Sequence, residues 1–87
     1  MCGSLVAEYG ARIDKATRAC KVDTDCGCYQ GGIGPKSGCG GIADSVTTAD
    51  LDAIHKRYFD AGCDHTHQCG PWACEPFCNQ GTCENRR

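Results

Sequence analysis

The sequence has little from which to build an apolar core. It has two Phe, one Trp and one Met, and its 40% hydrophobic share includes the ten Cys. No apolar run approaches the ~20 residues of a membrane-crossing helix, so no membrane span is expected. Positive charge is not in excess: nine Lys and Arg stand against eleven Asp and Glu, a net charge of −2. That leaves no basic footprint for nucleic acid, which is not an expected partner. There is no Cys-x-x-Cys, the spacing shared by zinc ribbons, thioredoxin-like redox sites and c-type haem attachment. Gly-x-Ser-x-Gly, His-Glu-x-x-His and a phosphate-binding Gly-Lys-Ser/Thr loop are also missing. Nothing in the spacing assembles a nucleophile, a base and an orienting group. The expectation is a protein without catalysis and without a cofactor.

What the chain does have is cysteine, ten in 87 residues, with twelve Gly. A chain this short buries only roughly 60–65% of its unfolded surface. Glycines add to the backbone entropy that folding must overcome, about 1–2 kcal/mol per ordered residue. Crosslinks are needed, and five bridges at roughly 2–4 kcal/mol each, not strictly additive, would supply them. The even count predicts full pairing of Cys2, Cys20, Cys26, Cys28, Cys39, Cys63, Cys69, Cys74, Cys78 and Cys83, with connectivity left open. Pairing on this scale implies an oxidising, extracytoplasmic compartment: secreted, periplasmic or cell-surface. Met1 is followed by Cys-Gly-Ser rather than by a charged and then apolar leader, so the sequence is expected to be a mature fragment with an added Met. Cys2 is expected to be a disulfide partner, with a lipid anchor at Cys2 as the alternative.

Leu5, Tyr9, Ile13, Ala16 and Cys20 recur at helical spacing, predicting a helix over about 4–19 that starts at Ser4. Gly10 weakens it by about 1 kcal/mol relative to Ala. A short strand is expected around Cys26 to Tyr29, putting Cys26 and Cys28 on one face. Residues 30–41 hold six glycines and read as a loop anchored by Cys39. A second helix is predicted over about 48–61. Thr47 or Thr48 caps it, Leu51, Ile54, Tyr58 and Ala61 form its inner stripe, and Gly62 stops it. Residues 63–83 form a cystine-rich tail, in which Phe77 to Cys83 reads as a hairpin with Gly81 in the turn. The predicted architecture is one small disulfide-rich α+β domain, two amphipathic helices clamped by that tail.

Two surfaces could engage a protein partner. One is the loop bearing Ile33, Pro35, Lys36 and Ser37, where Lys36 could be offered to a protease specificity pocket. The other is Trp72, a large aromatic between prolines and cysteines. The leading reading is therefore a disulfide-stabilised protein-binding module, with protease inhibition as its narrower form. The alternative is a metal site at Cys63, His65, His67 and Cys69. If extended, that stretch would hold its end cysteines roughly 20 Å apart, far beyond the reach of one tetrahedral ion with bonds of about 2.0–2.3 Å. His65 and His67 alone would lie about 6–7 Å apart.

Cys20-x-x-Asp23-x-Asp25-Cys26, then Cys39-Gly40-Gly41, a helix ending at Cys63 and a closing Cys78-x-x-Gly81-x-Cys83 resemble a known pattern. It is that of the short cysteine-rich domains in exported proteins and lipoproteins of myxobacterium-like bacteria. The resemblance covers about residues 5–83 and implies export and disulfide bonding. It carries over no catalytic or binding residue, and Cys28, His65 and His67 fall outside the pattern. The crosslink reading has a direct check in intact mass. The unreduced chain should resist alkylation and weigh about ten hydrogens less than the reduced one; several alkylatable cysteines with retained metal would overturn it.

Overall fold

The computed structural model describes residues 1–64 and 73–86. The elements run α1 (Cys2–Asp14), a 3-10 turn (Asp23–Asp25), β1 (Cys26–Gln30), β2 (Gly40–Asp44), α2 (Ser45–Asp60), β3 (Pro76–Asn79) and β4 (Thr82–Asn85). They form the expected small disulfide-rich α+β fold: two helices and two separate antiparallel hairpins, β1–β2 and β3–β4.

In α1, Leu5 and Tyr9 face inward and are buried. The helix ends at Asp14, five residues before the expected 19. The periodic positions continue to Cys20, but the backbone groups there find tertiary partners instead of helical ones. The Thr17 N–H donates to the Asp44 carboxylate at 3.2 Å, and the Thr17 carbonyl accepts from the Asp44 N–H at 2.9 Å. The Arg18 carbonyl accepts from Cys83 N at 2.7 Å and Cys20 N donates to the Gly81 carbonyl at 3.1 Å, with a bridge between Ala19 and Thr82. Residues 18–20 thus run extended beside β4. Ser4 is not the cap: Met1 takes that place, and the Ser4 hydroxyl donates to its carbonyl at 2.8 Å.

Helix α2 starts three residues earlier than the expected 48, because its cap is Asp44 rather than Thr47 or Thr48. The Asp44 carboxylate accepts from the Thr47 N–H at 3.0 Å and from the Thr47 hydroxyl at 2.6 Å. Leu51, Ile54 and Tyr58 point inward as expected, while Ala61 lies exposed past the end of the helix. Arg12 pairs with Asp50 at 2.9 Å and Arg57 with Glu8 at 3.1 Å across the two helices.

Two clusters fill the interior. The apolar one joins Leu5 and Tyr9 of α1, Leu51, Ile54 and Tyr58 of α2, Cys63, and Ile33 from the loop between β1 and β2. The other is built of sulfur: Cys26, Ile42 and Cys83 at its centre, packed by Cys20, Cys28, Cys74 and Cys78. The described bridges are Cys2–Cys63, Cys20–Cys78, Cys26–Cys83 and Cys28–Cys74, with Cα separations of 5.5 to 6.5 Å. Cys39 is disulfide-bonded as well, and Cys69 lies outside the described residues. Each of these four bridges ties the first 28 residues to the segment after α2. The tight turn of β3–β4 has positive φ at both Gln80 (51°) and Gly81 (85°), the I′ geometry that follows the twist of a two-residue hairpin.

Asp44 caps α2 and pins residue 17 at once. Burial pushes its carboxyl up, but hydrogen bonds from the Thr47 hydroxyl, the Thr47 N–H and the Thr17 N–H outweigh that and hold it below its ordinary value. A carboxyl lowered in the folded state contributes stability that is present above its unfolded pKa and lost as pH falls through the folded value. Asp44→Ala should therefore cost about 1–2 kcal/mol near neutral pH. In guanidinium titrations repeated across the acid range, that difference should shrink as pH drops; a constant difference would contradict the assigned role.

Candidate functional site

The hairpin β1–β2 carries a nine-residue loop, residues 31–39, folded back over α1. Its base is closed by a hydrogen bond from Gly32 N to the Gly38 carbonyl at 3.0 Å and by one from Gly40 N to the Ser37 carbonyl at 2.9 Å. Cys39 adds a covalent anchor. Inside the loop, the Ser37 hydroxyl accepts from Ile33 N at 2.9 Å and donates to the Gly34 carbonyl at 3.0 Å. Ser37 is 2% exposed and Ile33 0%. Of the four loop residues expected to face a partner, these two instead turn inward: Ile33 fills the helical core and Ser37 ties the loop to itself. Only Pro35 and Lys36 stand out to solvent.

Helix α1 is shaped to receive the loop. A Cβ on Gly10 would stand 3.3 Å from the Lys36 Cδ, so the glycine that weakens the helix makes room for the lysine stem. Gly34, at φ +78°, sits where a Cβ would press on the Val6 side chain at 2.5 Å. Lys36 lies along the helix, and its ammonium pairs with Asp14. Beside the tip runs a groove of about 290 Å³ lined by Val6, Gly10, Ala11, Gly34 and Pro35. A second cleft, about 410 Å³, lies on the other side of Ala11 between the helices, and it carries the charges of Glu8, Arg12, Asp50 and Arg57. The base of the loop is held to the helical core by Tyr9, whose hydroxyl donates to the Gln30 carbonyl at 2.7 Å. Burial holds that phenol protonated far above its usual range, so Tyr9 acts as a fixed donor and not as a proton carrier.

No family model, curated protein or solved structure matches the chain.

The other expected sites fall differently. Cys2 is bonded to Cys63, so the thiol that a lipid anchor would need is already used. The same bridge removes the Cys63 thiolate from the metal set of Cys63, His65, His67 and Cys69. His65, His67, Cys69 and Trp72 lie outside the described residues. Among the described residues no helix is long and apolar enough to cross a membrane. Several disulfides are consistent with an oxidising, extracytoplasmic environment. The feature missed from sequence is the inward role of Ile33 and Ser37. Its signal was there, since Ile33 is the one large aliphatic residue among the glycines of 30–41, apart from Ile42 just beyond.

Ser37 is the residue whose loss should loosen the loop most. Ser37→Ala leaves the buried Ile33 N–H without its acceptor, at a cost of about 1–3 kcal/mol. Hydrogen exchange should show faster exchange at Ile33 with α2 amides unchanged; unaltered exchange at Ile33 would mean that the hydroxyl does not brace the loop.

Proposed function

We propose that the protein is a secreted or periplasmic binding module that engages a protein partner through Pro35 and Lys36 and the groove behind them. The observation that carries this reading is the brace. Two inward-turned residues, Ile33 and Ser37, flank an exposed Pro-Lys tip, and the loop base is closed by hydrogen bonds and by Cys39. A loop already fixed in shape loses less conformational entropy on association, and that favours affinity. The groove adds apolar area next to the tip, and Lys36 adds a charge that can be redirected. Its pairing with Asp14 joins two side chains that are each 55% exposed, and an exposed pair of this kind holds by no more than about 1 kcal/mol.

Protease inhibition is the narrower form of the same reading. A substrate-like inhibitor presents an extended segment, whereas here a hydrogen bond joins Ser37 back to Gly34 and leaves a tight turn. The broader binding role is therefore favoured over insertion of Lys36 into a protease pocket. The resemblance to exported cysteine-rich domains of myxobacterium-like bacteria agrees with the location and specifies no partner.

Selection of a random peptide library on the immobilised, oxidised protein tests the surface without knowing the partner. Enriched peptides should bind at least tenfold more weakly to a Gly10→Leu, Lys36→Ala double variant that retains its disulfides. Peptides that bind both proteins equally would place the site elsewhere. In parallel, trypsin-like proteases should cleave after Lys36 or be left unaffected; tight inhibition abolished by Lys36→Ala would instead establish the inhibitor form.

A further inference from the structure

The sulfur cluster brings together cysteines whose spacing along the chain does not suggest that they meet. The Sγ atoms of Cys20, Cys26 and Cys83 lie within 4.8 Å of one another, although they belong to two different bridges. The fourth sulfur, that of Cys78, is bonded to Cys20, and Cys78 stands directly opposite Cys83 across the β3–β4 hairpin. Three cysteine sulfurs from two distant segments thus meet, and the fourth lies one bond beyond Cys20, so that Cys78 must turn its side chain inward to complete the set. A tetrahedral tetrathiolate centre with metal–sulfur bonds of about 2.3 Å needs its sulfurs only about 3.8 Å apart. Cys83 is fully buried and Cys26 7% exposed, which shields such a centre from solvent.

We propose that the reduced chain binds one zinc-class ion through Cys20, Cys26, Cys78 and Cys83, and that this ion replaces the two bridges as the crosslink between β1, residues 18–20 and the β3–β4 hairpin. The step balances with a dithiol as the reductant. Each bridge takes up two electrons and two protons from one dithiol, which closes to a cyclic disulfide. The four thiols then release four protons as the divalent ion binds. Thiolate ligands select soft and borderline ions over magnesium or calcium. The geometry favours this set over the remaining cysteines, because the ion joins the same backbone positions that the bridges join. The Cα separations of 5.8 and 5.5 Å across those bridges can stay nearly unchanged. The ion is therefore expected to fold the tail onto β1 in the absence of oxidation, with metal binding and folding coupled.

The test uses the full chain, reduced with a phosphine under anaerobic conditions and titrated with Co²⁺ as the spectroscopic probe. One cobalt per chain is expected, with the absorption of tetrahedral thiolate coordination, release of four protons and displacement by Zn²⁺. Alkylation of the zinc-loaded chain, read by peptide mass, should spare Cys20, Cys26, Cys78 and Cys83 and modify the other six, Cys2, Cys28, Cys39, Cys63, Cys69 and Cys74. The Cys28→Ser, Cys74→Ser variant should retain the spectrum. Absence of stoichiometric binding, protection centred on other cysteines, or equal cobalt uptake by the oxidised chain would each overturn the proposal. The alkylation map needs no substitution, so a variant that fails to fold does not blunt the test.

Discussion

The physical constraint on which this fold depends is the attachment of the β3–β4 hairpin to β1 by sulfur. Cys26–Cys83, Cys20–Cys78 and Cys28–Cys74 close loops with sequence separations of 57, 58 and 46, and Cys2–Cys63 one of 61. In the chain-entropy account each closure of that length removes about 4 kcal/mol of unfolded-state freedom, less where the loops overlap. Besides the bridges, the hairpin is held by a few polar contacts, with little apolar burial. Among them are backbone hydrogen bonds to residues 18–20 and one from Cys78 N to the Asp23 carboxylate at 2.9 Å. Phe77 is only partly buried and lies under Arg86 at 4.7 Å, while Asn79 and Glu84 meet across the exposed strands at 2.7 Å. A two-stranded hairpin of this length is marginal in water. Without the bridges it would not stay docked, and the strip formed by residues 18–20 beside β4 would lose its partner.

The molecule thus has two interiors of different chemistry, and the β1–β2 hairpin links them. One side of β1 contributes Cys26 and Cys28 to the sulfur cluster. Its far end hands the chain to the loop that sends Ile33 into the helical core, where Tyr9 reaches the Gln30 carbonyl. Asp44, at the opposite end of β2, caps α2 and receives residue 17 in the same carboxylate. The tip at Pro35 and Lys36 is therefore positioned from both cores. Its rigidity comes from its neighbours and not from its own glycine-rich sequence.

Periodicity found both helices and the last hairpin because each carries a local signal: an apolar stripe, a stopping glycine or a two-residue turn. The limits of the helices were less legible. Ala16 and Cys20 continue the α1 spacing by coincidence, and what ends the helix is the capture of residues 17–20 by Asp44 and β4, contacts that are remote in sequence. The cap of α2 is a local signal as well, since Asp44 three residues before Thr47 is a good capping residue. Strand β2 was hidden by Gly40 and Gly41, which disfavour a strand in isolation yet pair with Gln30 and Tyr29 here. A lone large aliphatic residue such as Ile33 hints at burial, but the polar, glycine-rich loop around it and Ser37 gives no sign of what either would pack against. That a loop folds back on its helix depends on the room left by Gly10, a fact about tertiary fit that no local pattern contains.

The cysteines show the same limit in sharper form. Rules built on Cys-x-x-Cys assume that a short knuckle of chain delivers two sulfurs to one point. Here the four residues between Cys78 and Cys83 form a two-residue turn with one flanking pair, which sets the two cysteines face to face. Cys20 and Cys26, five residues apart in intervening count, arrive at the same place from either side of the turn at Asp23–Asp25, whose Asp25 carboxylate accepts from Lys21 N at 2.8 Å and from Val22 N at 3.2 Å. Those two hydrogen bonds also hold the Asp25 carboxyl below its ordinary value. Local turns thus do at two separate sites what the knuckle does at one. Sulfur proximity in this protein is a property of paired turns, and spacing along the chain is a poor guide to which cysteines share a neighbourhood.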